Sequence, residues 1–135
     1  MVKQVIVMRR TFENPDGKSF KVRTGKMIAQ GAHASMAVIL NMMSNERQGR
    51  YLDLESRPEV REWLEGKFTK ICVYVENEQE LLEIYNKALT AQVPCVLITD
   101  SGLTEFHGVP TNTCIAIGPA DALAIDEITG GLKLL

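Results

Sequence analysis

Cysteine is scarce in this chain, and its spacing suits neither pairing nor metal binding. Cys72, Cys95 and Cys114 are odd in number and far apart, with no CxxC. That argues against a disulfide framework or a zinc ribbon. Each lies in an apolar, strand-like stretch, so the expectation is reduced, buried thiols in a cytoplasmic protein. Long apolar runs are also missing. The longest, near Ala34–Leu40, falls well short of the roughly 20 residues that span a bilayer, and no membrane partner is expected. The opening MVKQVIVMRR has too short an apolar stretch, and no small-residue cleavage site, for a secretory leader to be expected. No GxxxxGK[ST], GxGxxG or GxSxG occurs, which removes the P-loop, the dinucleotide fingerprint and the nucleophile elbow. His33 and His107 lack the neighbouring Cys or carboxylate pattern of a zinc site. No metal site is expected from these residues.

What remains is an ordinary globular composition of 135 residues, 45% apolar and 24% charged, sized for one domain over 1–135. The net charge of −2 conceals an asymmetry. Residues 1–26 hold seven basic groups (Lys3, Arg9, Arg10, Lys18, Lys21, Arg23, Lys26) against Glu13 and Asp16, while the rest of the chain is net acidic. Such a basic segment is either a solvated loop or a surface for a polyanion.

Val2–Met8 is short, β-branched and apolar, which predicts a buried strand. Arg9–Arg23 is polar, with a turn at Asn14-Pro15-Asp16-Gly17. Thr24 is placed as the cap of a helix running to about Met43, whose alanines and Gly31 let it lie close on a sheet. Asn41–Lys67 is less regular and contains a short helix near Glu59–Glu65, with Trp63 as a packing anchor. Strands are expected at Lys70–Val75, Pro94–Thr99 and Asn112–Ile117, the last ended by Gly118-Pro119. Asn77 caps a helix over Glu78–Thr90, and a short helix covers Ala120–Ile128. Alternating strands and helices predict an α/β fold with a mostly parallel sheet. The helix-free connection between the last two strands permits an antiparallel pair, hence a mixed sheet.

Lys26, Gln30 and His33 share one stripe of the first helix. A lysine in a first helical turn gains nothing from the helix dipole, so Lys26 is either an ordinary surface group or a partner for an anion. His33, amid small residues, reads as a hydrogen-bonded structural group. The second candidate, Asp100-Ser101-Gly102-Leu103-Thr104-Glu105, follows a strand directly. Ligands of α/β sheets sit outside the carboxyl ends of parallel strands. If the first and third strands run parallel, Lys26 approaches Asp100 and Thr104. Asp100 and Gly102 could equally form a plain turn.

These segments together resemble the peptidyl-tRNA hydrolase 2 family of archaea and eukaryotes. Its motif G-K-x-A-A-Q-x-A-H-A stands here as Gly25-Lys26-Met27-Ile28-Ala29-Gln30-Gly31-Ala32-His33-Ala34. Its D-A-G-x-T-Q is matched by Asp100–Glu105, and T-x-T-V-L-A-I-G-P by Thr111–Pro119. The tail I-T-G-x-L-K-L-L is matched by Ile128–Leu135. Three departures stand out: Glu105 replaces glutamine, the loop Phe106–Pro110 is about one residue longer, and Asn41–Lys67 is extended.

The resemblance implies a three-layer α/β/α fold with a mixed, mostly parallel four-stranded sheet, and a homodimer. It implies hydrolysis of the ester between peptide and tRNA without a cofactor, with tRNA and not DNA as the nucleic-acid partner. Lys26, Asp100 and Thr104 are then the catalytic candidates. Asp100 would orient water or accept its proton, Thr104 would donate to the oxyanion, and Lys26 would stabilise that oxyanion or hold the terminal phosphate. Arg9, Arg10, Lys18, Lys21 and Arg23 are placed on acceptor-stem phosphates, Thr113 at the substrate, and Gln30 either at the substrate or positioning Lys26. Two alternatives share the fold: an RNA- or protein-binding module without turnover, to which Glu105 lends weight, and a hydrolase of N-blocked aminoacyl-tRNA.

Overall fold

A computed structural model describes every residue from Met1 to Leu135. The chain begins with β1 (Val2–Arg9), then a two-stranded hairpin, β2 (Phe12–Glu13) and β3 (Ser19–Phe20), and the long helix α1 (Thr24–Met42). A second hairpin, β4 (Ser44–Glu46) and β5 (Gly49–Tyr51), leads into α2 (Pro58–Glu65). Next come β6 (Lys70–Val75), α3 (Glu78–Thr90), β7 (Cys95–Asp100) and β8 (Thr111–Asp121). Helix α4 (Ala122–Thr129) and the short β9 (Lys133–Leu134) complete the chain.

The main sheet has five strands in the order β7-β8-β1-β6-β9, one more than the expected four. The additional strand is β9, whose two residues pair with Val73 and Tyr74 and are too few to carry a period-2 signal. Nor is the sheet mostly parallel by pairing. Only β1 and β6 run parallel neighbours, while β8 is antiparallel to both β1 and β7, and β9 to β6. The cause is the connection after β7, a helix-free loop that returns the chain as an antiparallel neighbour. Because β8 lies antiparallel between β7 and β1, those two still point the same way, and their carboxyl ends open at one edge.

Strand alternation divides the apolar side chains between the two faces. Val5, Val7, Ile115 and Ile117 pack with Leu81, Ile84 and Ala88 of α3 and Ile125 and Ile128 of α4. Ile6, Met8, Cys114 and Ala116 pack with Ala34 and Val38 of α1. The central strands are therefore buried on both sides and read as continuous apolar runs. Residue 118 must be glycine: its φ is +92°, and a Cβ there would meet the Lys3 carbonyl oxygen at 2.6 Å. Here β8 continues through Gly118-Pro119 to Asp121 rather than ending, with the Gly118 N–H bonded to the Pro94 carbonyl at 2.7 Å.

Two local expectations change. Thr24 is the first residue of α1 rather than its cap; Arg23 occupies the cap position and offers no side-chain acceptor. Cys72 is exposed, Cys95 half-buried and only Cys114 buried, because Cys72 faces a part of β6 that α1 does not cover. Asn77 does cap α3, accepting from the Glu80 N–H at 2.9 Å. Trp63 is buried, and its Nε1 donates to the Thr69 carbonyl at 2.8 Å. No helix is long and apolar enough to cross a membrane.

Candidate active site

The first turn of α1 carries no acidic residue, and Lys26 projects from it toward the end of β7. The Lys26 ammonium donates to Asp100 Oδ1 and to Thr104 Oγ1, each at 3.0 Å. It also lies 5.5 Å from the centre of the Phe106 ring. Lys26 and Asp100 are both largely buried, while Thr104 is exposed. Since Thr104 Oγ accepts from an ammonium, its own hydroxyl hydrogen is free to donate outward. The three groups thus present a cation, a carboxylate and a hydroxyl donor at one point.

Asp100 is held from below as well. Gln30 Nε2 donates to Asp100 Oδ1 at 3.2 Å, and Thr113 Oγ1 donates to Gln30 Oε1 at 2.7 Å. Both supporting residues are buried, Gln30 at 3% and Thr113 at 1% exposure. Through this chain the two buried side chains connect to Asp100. The Gly102 N–H donates to Asp100 Oδ2 at 2.9 Å, so Asp100 also makes the turn. Burial alone would raise the Asp100 carboxyl, but the hydrogen bonds from Lys26, Gly102 and Gln30, with the lysine charge, hold it below its ordinary value.

The loop between β7 and β8 is fixed at both ends of the site. Gly102 has φ +85°, and a Cβ would collide with the Val109 backbone. Gly108 N–H closes back onto the Gly102 carbonyl at 2.8 Å. Phe106, 4% exposed, sits 4.7 Å from Phe12 and 6.2 Å from Phe20 by ring centres. His107 Nε2 and Asn14 Oδ1 are 2.8 Å apart. The β2–β3 hairpin therefore braces the loop that carries Thr104. Sequence reading missed this brace, since Phe12 and Phe20 in one polar stretch and Phe106 in a distant loop form no periodic pattern.

The basic groups divide sharply. Arg9 is 9% exposed; it donates to the carbonyls of Thr11 and Asn112, pairs with Glu78 and lies 4.4 Å from the centre of the Phe12 ring. Burial lowers its pKa, opposed by Glu78 and Glu13. These contacts join the end of β1 to the start of β8 and to α3. Arg10 is half-buried against Tyr74 and pairs with Glu76 at 3.3 Å. Lys18, Lys21 and Arg23 are exposed. Arg23 pairs with Glu105 at 2.7 Å, so Glu105 is engaged outside the Lys26 cluster. His33 is exposed on α1 and not enclosed by the core. Cys114, whose thiol burial pushes up to about 12, donates from Sγ to the Gln30 carbonyl at 3.3 Å and is unreactive there. No cluster of three or more His, Cys, Asp or Glu side chains could hold a metal ion.

The mixed α/β sheet thus gathers a lysine, a carboxylate and a hydroxyl where β7 ends. The model of the family described as peptidyl-tRNA hydrolase PTH2 matches residues 2–135, and the chain belongs to that family. It is 41% identical over 111 residues to the peptidyl-tRNA hydrolase of Methanocaldococcus jannaschii, covering 82% of this chain and 87% of the relative. The Aeropyrum pernix peptidyl-tRNA hydrolase is 39% identical over 139 residues, covering 98% and 94%. That of Methanopyrus kandleri is 36% identical over 135 residues, covering 100% and 99%.

Proposed function

We propose that this chain hydrolyses the ester joining a peptide to the 3′-terminal ribose of tRNA, as a single domain acting in the cytoplasm. Family membership supports the reaction, and the geometry supports the following roles. Lys26 is the centre, because its ammonium meets both Asp100 and Thr104 at 3.0 Å, and this observation carries the assignment. Water attacks the ester carbonyl, negative charge grows on the carbonyl oxygen, and collapse breaks the bond to the ribose oxygen, which leaves as a hydroxyl with the proton that the attacking water gives up. Thr104 donates its free hydrogen to that oxyanion, and the nearby lysine charge stabilises it. Asp100 Oδ2, which accepts one hydrogen bond from the Gly102 N–H, retains a lone pair that can accept a hydrogen bond from the attacking water. A carboxyl held below its ordinary pKa is a weak proton acceptor, which favours orienting the water over removing its proton.

Lys18, Lys21 and Arg23 meet backbone phosphates, giving affinity without sequence readout. Gln30 and Thr113 hold Asp100 in place, and Arg9 holds the strand ends. The division of helices between the sheet faces supports a three-layer α/β/α arrangement. An apolar groove of about 680 Å³ beside α1, lined by Met27, Ile28, Met36, Phe68, Cys72 and Leu135, supports a homodimer. Purified protein given peptidyl-tRNA is expected to release deacylated tRNA and to sediment as a dimer. Intact peptidyl-tRNA after prolonged incubation would reject the activity. Parallel reactions with N-blocked aminoacyl-tRNA define the substrate range.

A further inference from the structure

Glu105 puts a carboxylate at the rim of a surface read as phosphate-binding, which at face value repels the ligand. The geometry changes that sign. Glu105 Oε1 accepts from Arg23 Nε at 2.7 Å, and Oε2 accepts from the Arg23 backbone N–H at 3.4 Å. The Glu105 side chain is 15% exposed and that of Arg23 is 85% exposed. The carboxylate is therefore tucked under the guanidinium, and the cation faces outward. No hydrogen bond engages the two Nη groups of Arg23. An arginine fixed through Nε has its orientation set while its outer edge keeps donors for the oxygens of a phosphate. Position matters equally. Arg23 immediately precedes α1, three residues before Lys26, and Glu105 immediately follows Thr104. The pair joins the two segments that supply the reacting groups.

We propose that Glu105 is a positioning residue that aims Arg23 at the phosphate of the 3′-terminal nucleotide of tRNA. This rests on reading Lys26, Asp100 and Thr104 as the hydrolytic site. In the substrate, the ester and that phosphate sit on the same ribose. Arg23 on the phosphate, held through Glu105 next to Thr104, sets where the ester carbonyl lies. Lys18 and Lys21 are exposed point charges on flexible stems and fix no such geometry. A glutamine at position 105 would keep an oxygen acceptor for Nε; an alanine would not.

The test crosses protein variants with a substrate in which one phosphate is made neutral. Peptidyl-tRNA is prepared with a methylphosphonate at the 3′-terminal linkage, and kcat/KM is compared with that of the native substrate. The wild-type protein is expected to lose about tenfold on this replacement, as for one charge-assisted contact. Arg23→Gln is expected to lose a similar factor on native substrate and nothing further on the neutral one. Glu105→Ala should lose most of the discrimination, and Glu105→Gln should retain it. A methylphosphonate one linkage further from the ester should affect wild-type protein and Arg23→Gln equally. Independent, additive losses at the terminal linkage, or none in the wild type, would overturn the proposal. So would equal discrimination in Glu105→Ala and wild type. Affinity for deacylated tRNA carrying the same replacements is measured alongside, free of turnover. A wild-type protein that distinguishes these ligands through Arg23 and Glu105 but releases no peptide would sustain the clamp and defeat the hydrolase reading alone. One that hydrolyses peptidyl-tRNA without distinguishing them would do the reverse.

Discussion

Beneath Asp100, Gln30 and Thr113 are 3% and 1% exposed and joined by a 2.7 Å hydrogen bond, whereas at the rim Lys18 and Lys21 are exposed on the approach to α1. The floor stands on regular elements, α1 and β8, and its polar atoms satisfy one another away from water. The rim stands on a hairpin and its exit, and its charges are solvated. Geometry is enforced in the floor because an unpaired buried polar group costs about 1–3 kcal/mol. At the rim, solvent replaces any lost partner at little cost. Floor substitutions should therefore act on turnover and rim substitutions on affinity.

The largest expected effect is at Asp100, where floor and rim meet. Asp100→Asn keeps the size and leaves an oxygen for the Gly102 N–H, so the turn should survive. It removes the charge that holds Lys26 and orients water. The expected loss in kcat is about a hundredfold or more, with a melting temperature close to wild type. Unchanged kcat in peptide release would reject the assigned role; a collapsed melting transition would show Asp100 to be mainly a turn residue.

Thr113→Val tests the floor at a side chain that is 1% exposed. Valine matches the shape but cannot donate to Gln30 Oε1. The unpaired carbonyl oxygen should cost about 1–3 kcal/mol in urea unfolding. Loss of its fixed position should lower kcat by about tenfold with KM little changed. An equal rise in KM would mean that Gln30 meets the substrate directly, contrary to its burial.

The same contrast accounts for what could be read from the residues alone. Lys26, Gln30 and Asp100 were legible because helical spacing and the strand-end rule act over a few residues, and the structure brings them together. The strand at Lys70–Val75 and the helix Glu78–Thr90 with its Asn77 cap were likewise local and agree residue for residue. The burial of Arg9 was not legible because charge is visible in a sequence and burial is not: its partners Glu78 and Asn112 lie in segments that only the fold brings to it. The Phe12–Phe20–Phe106 brace has the same origin, as does the sheet's pairing, since the insertion of β8 between β7 and β1 is a long-range choice. Thr113 was recognised as part of a motif, but its inward orientation was not, because both faces of β8 are covered and alternation carries no polar signal.

Arg9 and the rim lysines supply the next smaller pair of effects. Lys18→Gln with Lys21→Gln should weaken tRNA binding about equally across tRNA sequences. Each lost phosphate contact should lower the log–log salt slope by roughly 0.7–0.9. Arg9→Gln should leave that slope alone and instead lower the unfolding midpoint, because its loss frees the Thr11 and Asn112 carbonyls in a half-dry setting. If the lysine pair leaves the slope unchanged, or Arg9→Gln flattens it, floor and rim have been assigned the wrong way round.

The smallest expected effect is that of pH. The Asp100 carboxyl is buried, which alone would raise its pKa from 3.8, but the hydrogen bonds from Lys26, Gly102 and Gln30 and the charge of Lys26 lower it on balance. The Glu105 carboxyl is lowered from 4.5, first by the hydrogen bond from Arg23. A carboxyl depressed on folding stabilises the native state fully above its unfolded pKa, and that contribution disappears as pH falls through the folded value. For Asp100 the window therefore lies below 3.8, and for Glu105 below 4.5. Neither group should give an acid limb in kcat/KM, or a change in stability, between about pH 5 and pH 8. Stability followed by urea unfolding should fall only on stronger acidification, and less steeply in Asp100→Asn. An acid limb in kcat/KM near pH 6 that vanishes in Asp100→Asn would show the carboxyl to be raised once substrate displaces Lys26. Asp100 would then accept the proton from water rather than merely orient it.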